Sequence, residues 1–146
     1  MTQEVPEGFV PFPYKEGFLA VSGPYYFKET EDGKAKFGLL TGPQHANPNG
    51  VLHGGVLMTF ADTVMGTAVY MKRGRCATVS LNTEFVGNVA PGAWVEAEVE
   101  ITRLTGSLAF VRGTLTSGEE TLLSASGVWK LFKKPREGHP DKGPDV

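Results

Sequence analysis

With 146 residues, 40% of them hydrophobic, and a formal net charge of −2, the chain is sized for one domain with a real core and lacks the broad basic field that nucleic acid would require. A lone cysteine, Cys76, excludes an intrachain disulfide framework; the opening residues lack the basic start and apolar run of a signal peptide, and no stretch approaches the roughly 20 apolar residues that span a bilayer. A soluble, cytoplasmic protein that engages neither membrane nor nucleic acid is expected.

Residues 1–17 carry Pro6, Pro11 and Pro13 among Phe9, Phe12 and Tyr14, which predicts an irregular extension laid over an apolar surface. Two strand-like runs, 25–30 and 34–41, flank Asp32-Gly33, a strong hairpin signal. A helix is predicted over 53–71, where Leu57, Phe60, Ala61, Val64, Ala68 and Met71 recur at helical spacing. The period then drops to two. Strands are expected at 77–86, 94–101, 108–116 and 121–132, divided by Pro91-Gly92, Thr105-Gly106 and Ser117-Gly118. In 94–101 the residues Val95, Ala97, Val99 and Ile101 share one face and Glu96, Glu98 and Glu100 the solvent face. Short connections make neighbouring strands antiparallel. Residues 133–146, polar and rich in Pro and Gly, read as a flexible tail with Lys133, Lys134 and Arg136 solvated.

The chain thus divides into an extension (1–17), a folded domain (18–132) and a tail (133–146). Its class is α+β, one long helix against a curved antiparallel sheet of five or six strands. The helix carries apolar or small residues on more than one side, and a single sheet covers only one, so a partner surface is expected.

Between residues 56 and 71 the only charge is Asp62. A carboxylate taken unpaired from water is costly or shifts its pKa, so this placement points to chemistry, although exposure is the usual fate of Asp. Ahead of it stands His45-x-Asn47-x-x-Gly50-x-x-His53-Gly54-Gly55, ending where the helix begins. After the helix, Thr78, Ser80, Asn82 and Glu84 alternate with Ala77, Val79 and Leu81, so the first four are expected on one strand face. Lys72, Arg73 and Arg75 follow the helix, where cations are favoured in any case. There is no Gly-x-Ser-x-Gly elbow and no phosphate-loop or dinucleotide glycine pattern. His45, His53 and Asp62 do not share a regular element and lack a fourth ligand, so no metal is expected.

The pattern from His45 to Gly55, with Asp62 seven positions later, resembles that of the hotdog-fold acyl-CoA thioesterases of the phenylacetate-pathway (PaaI-like) type, over residues 25–132. The resemblance implies a helix wrapped by the sheet, a dimer with a continuous sheet, often a tetramer, and thioester hydrolysis with no cofactor, coenzyme A being part of the substrate. It implies Asp62 as the catalytic carboxylate, the Gly54 N–H as the group that polarises the thioester carbonyl, and Asn47 and His53 as polar groups flanking that point. Thr78 matches the hydroxyl that holds the attacking water, with Ser80 in that role if the alignment slips by two. Gly55, Ser80, Arg73 and Arg75 are expected substrate contacts, the arginines towards the phosphates of coenzyme A.

Elementary chemistry fits these roles. First-turn N–H groups have no intrahelical partner and face developing negative charge, and a glycine lets a carbonyl approach closely. Asp62 can serve as nucleophile through a mixed anhydride, or as general base towards water; the sequence leaves both open. Eight residues separate Gly54 from Asp62, about 12 Å along one helix, too far to act on one carbonyl carbon. The two groups are therefore expected from different subunits with antiparallel helices, giving two equivalent sites. Two other readings share the fold: an acyl-CoA hydratase or dehydratase using His53 and Asp62, and a non-catalytic acyl-CoA-binding protein, against which a retained Asp62 speaks. Met58, Phe60, Met65 and Phe85 suggest an apolar or aromatic acyl pocket, although core packing is the commoner use of such residues.

Overall fold

The computed structural model describes residues 3–31 and 34–133. Their elements run β1 (Val10–Pro11), α1 (Phe18–Ser22), β2 (Tyr25–Glu29), β3 (Ala35–Leu40), a short 3-10 turn (Pro43–His45), α2 (Gly54–Arg73), β4 (Cys76–Phe85), β5 (Trp94–Leu104), β6 (Leu108–Ser117) and β7 (Glu120–Leu131). All strands lie in one antiparallel sheet of order β1-β2-β3-β5-β6-β7-β4, and α2 packs against its inner face. This is the wrapped helix that the resemblance implies.

The helix buries Leu57, Phe60, Ala61, Val64, Met65 and Val69, one face at helical spacing. Facing them are Phe37, Leu39, Val95, Ala97, Ala109, Val111, Leu115, Leu123, Ala125 and Trp129, the inward members of alternating strands. Full burial of each large side chain contributes about 1.5–3 kcal/mol, enough to fix which strand face points inward. Outward, Glu98 and Glu100 meet Lys36 (3.9 Å) and Arg112 (3.0 Å), exposed pairs of little energetic weight. The helix starts at His53, whose side chain caps it, and stops at Gly74, where φ is +81°. No described helix is long and apolar enough to cross a membrane.

Three expectations need correction. The sheet has seven strands, not five or six, because Val10–Pro11 inside the extension pairs with β2. The extension is held there by Phe12, whose ring meets those of Tyr25 and Phe27 at 6.0 Å and Phe37 at 6.2 Å, and by Phe9, 5.0 Å from Trp94. A five-residue helix, α1, follows it, too short for a periodic signal.

The third correction concerns β4. Thr78 pairs with Trp129 but Ser80 pairs with Val128, so Val79 is an extra residue bulged out of the ladder. The bulge moves the alternation by one. Thr78 faces inward with Trp129, whereas Ser80, Asn82 and Glu84 fall on the outer face. The Asp32-Gly33 turn lies outside the described residues, as do Lys134 and Arg136, while β2 and β3 pair as the expected hairpin up to Glu29 and Ala35.

Candidate active site

The loop before α2 is built by its own motif. His45 is 3% exposed; its Nδ1 accepts from the Gly42 N–H at 3.0 Å and its Nε2 meets the Ser22 carbonyl at 2.8 Å, tying the loop to the end of α1. Both ring nitrogens are thereby used, one accepting and one donating. Asn47 Oδ1 accepts from the N–H groups of Asn49 (2.9 Å) and Val51 (3.2 Å), closing a turn in which Gly50 takes φ +82°. The Asn47 amide nitrogen makes no bond among the described residues.

The first turn of α2 leaves one donor over. His53 Nδ1 accepts from the Gly55 N–H at 2.8 Å, and the His53 carbonyl accepts from Val56 (2.9 Å) and Leu57 (3.4 Å). The Gly54 N–H makes no hydrogen bond among the described residues. Acceptance at Nδ1 places the His53 proton on Nε2, a second donor at the same helix end. A side chain at residue 54 would crowd the Phe85 ring, with its Cβ 3.1 Å from the nearest ring carbon.

Two turns along the helix, half-buried Asp62 accepts at Oδ1 from the Thr78 hydroxyl at 2.7 Å. The pair sits at an open cleft of about 220 Å³, lined along the helix by Asp62, Gly66 and Tyr70, one residue per turn, and across it by Cys76, Thr78 and Trp129. Gly54, Asn47 and His53 are not in that lining. Burial pushes the Cys76 thiol up, and the neighbouring Asp62 carboxylate adds to the effect, so Cys76 stays a thiol, donating to the Gly66 carbonyl at 3.5 Å.

Residues 49–124 match the thioesterase superfamily, a span that starts inside the His45–Gly55 motif and includes Asp62 and Thr78. The chain belongs to that superfamily. Over 130 residues, 87% of this chain and 97% of the relative, it is 34% identical to PA0474, a provisionally named esterase of Pseudomonas aeruginosa. Among solved structures it is similar to the Escherichia coli PaaI protein from the phenylacetic acid degradation operon, with TM-score 0.72, 16% identity, and 79% and 84% of the two chains covered. It is also similar to the BH2602 protein of Bacillus halodurans, solved with CoA, with TM-score 0.67, 25% identity, and 75% and 74% covered. The fold is the hotdog fold and the protein is an enzyme of the thioesterase class.

In this thioesterase the remaining sequence candidates are dispersed. Ser80, on the outer face of β4, does not share the Thr78 face, because the bulge at Val79 intervenes. The Gly55 N–H is taken by the cap. Arg73 is exposed in the last turn of α2, and the Arg75 guanidinium lies 5.5 Å from the centroid of the Phe132 ring, a packing contact. Of the suggested apolar pocket residues, Phe60 and Met65 are core, Met58 is part-exposed and Phe85 lies against Gly54. The cleft instead uses Gly66, Tyr70 and Trp129. The first two follow Asp62 at four-residue steps and were readable; Trp129 enters only through the pairing of β7 with β4.

Proposed function

We propose that the protein hydrolyses acyl-CoA thioesters to the free acid and CoA at a site shared by two subunits, Asp62 coming from one and the Gly54 N–H from the other. The observation that carries this is the pairing of Asp62 with Thr78 at a cleft, while an unpaired N–H waits at Gly54, about 12 Å away on the same straight helix. One carbonyl group cannot meet both within one chain. A two-fold axis that sets two α2 helices antiparallel brings each Gly54 towards the other subunit's Asp62.

The surface supports such a dimer. Strand β4 is one of the two edges of the sheet and exposes Val79 (61%) and Phe85 (52%), followed by Val86 (58%). A ten-residue unpaired edge with exposed apolar side chains is a template for pairing, so a second β4 would continue the sheet and cover the part-exposed Met58 flank of α2. Pairing of dimers into a tetramer follows the family resemblance.

In the reaction, the Gly54 N–H and the His53 Nε2–H stabilise the negative charge that develops on the thioester oxygen. Thr78 donates to one oxygen of Asp62, leaving the other oxygen and the Thr78 lone pairs as a seat for water, which favours Asp62 as general base over nucleophile. Asp62 takes the proton from water as it attacks the acyl carbon, and the tetrahedral intermediate expels the CoA thiolate. The Asn47 amide nitrogen is a further donor near the helix start, and Arg73 and Arg75 are cations for the CoA phosphates. No metal or prosthetic group is needed for these steps, and a CoA thioester substrate fits a cytoplasmic protein. That the Bacillus halodurans structure was solved with CoA supports the choice of thiol.

Release of free thiol from a panel of acyl-CoA esters tests the reading. Asp62→Asn should keep the fold and lose at least about 100-fold of the rate. A folded variant with parental turnover would overturn the assignment of Asp62.

A further inference from the structure

Trp129 is 1% exposed, yet its indole N–H makes no hydrogen bond among the described residues. Three other cleft donors are engaged: Thr67 Oγ1 donates to the Thr63 carbonyl at 2.7 Å, Cys76 to the Gly66 carbonyl, and Thr78 to Asp62. Tyr70, half-buried, also lines the cleft, and its hydroxyl makes no hydrogen bond among the described residues. An N–H donor that opens onto a cleft and has no acceptor among the described residues is available to an acceptor oxygen on a bound ligand. Gly66 is what leaves it open: a Cβ there would lie 3.2 Å from Trp129 Nε1 and cover it.

We infer that the cleft beside Asp62 receives the acyl group and that Trp129 Nε1–H binds an acceptor oxygen on it, so that oxygen-bearing acyl chains are selected over hydrocarbon ones. The inference rests on the hydrolase reading above and specifies its substrate class. Trp129 is the cross-strand partner of Thr78, which places the indole beside the Asp62 pair. Gly66 lies one helical turn beyond Asp62, so the acceptor sits about 6 Å along the helix from the carboxylate. That distance corresponds to a ketone, ether or hydroxyl oxygen some four bonds from the thioester carbon, with Tyr70 a further turn along. A site with an N–H donor on its wall also rejects the analogue lacking the acceptor, because binding it removes water from an N–H that then stays unpaired.

The test compares two CoA thioesters of matched shape, one with a ketone oxygen at that position and one with a methyl group in its place. Wild-type enzyme is expected to favour the ketone by at least about 10-fold in kcat/KM. Trp129→Phe removes the donor and Gly66→Ala covers it while leaving the ring in place; both should abolish most of the preference. Ala is favourable inside a helix, so Gly66→Ala keeps the test available if Trp129→Phe does not fold. Equal use of the two thioesters by wild type, or a preference that survives both substitutions, overturns the inference while the hydrolase reading stands. Absence of thiol release from every thioester overturns that reading, and this inference with it.

Discussion

Thr78 donates its hydroxyl proton to Asp62 across the gap between β4 and α2, at 2.7 Å, and so joins a strand residue to the helix residue sixteen positions earlier. The bond holds one carboxylate oxygen of a residue that lines the cleft. Thr78→Val should therefore lower kcat by about 10-fold, the scale of one charge-assisted bond, with thermal stability nearly unchanged because the site is exposed. Thr78→Ser should restore most of the rate. A Val variant with parental kcat would reduce Thr78 to a strand residue.

If Asp62 is a general base, no acyl group is ever attached to it. Intact-protein mass spectrometry of enzyme quenched during turnover should show only the free chain. An adduct of acyl mass mapped to Asp62 would replace the general-base step with a mixed anhydride.

The β4 edge makes a separate prediction. Val79→Lys puts a charge on an exposed edge position without touching the core, so the chain should fold, sediment as a monomer and lose activity in step with the loss of dimer. A monomeric variant of full activity would show that one chain suffices.

Much of this architecture was legible from periodicity. The spacing of Leu57, Phe60, Ala61 and Val64 located α2, and alternation in 94–101 located β5, since each pattern reflects burial against one face. The bulge at Val79 was not legible, because an extra residue in a ladder leaves no local composition signal, and it removed Ser80 from the Thr78 face. The Val10–Pro11 strand was hidden by its proline, which is tolerated at a sheet edge. At the site, Asp62 stood out by charge and Gly54 by motif. Trp129 resembled any core aromatic until its partner strand was known.

His45 separates scaffold from chemistry within the motif. With both ring nitrogens bonded and the side chain buried, His45→Ala should cost about 2–3 kcal/mol and lower Tm by roughly 5–10 °C, while the folded enzyme keeps its kcat. Loss of kcat at unchanged Tm would assign His45 a part in the reaction.

The shared site is tested most directly by mixing two inactive chains. Gly54→Pro deletes the N–H proposed to meet the thioester oxygen. It suits the fold, because residue 54 is the first of α2, its N–H has no partner among the described residues, and His53 at φ −64°, ψ 134° already has a conformation compatible with a following proline. Phe85, the side chain nearest the new ring, is not part of the buried core, so its ring can shift without a core rearrangement. Coexpressed Asp62→Asn and Gly54→Pro chains give heterodimers in which one site carries both defects and the other neither. Purified heterodimers should regain about half of the wild-type activity per dimer, although each parent variant is nearly inactive. Folded heterodimers that remain inactive would contradict the cross-subunit site.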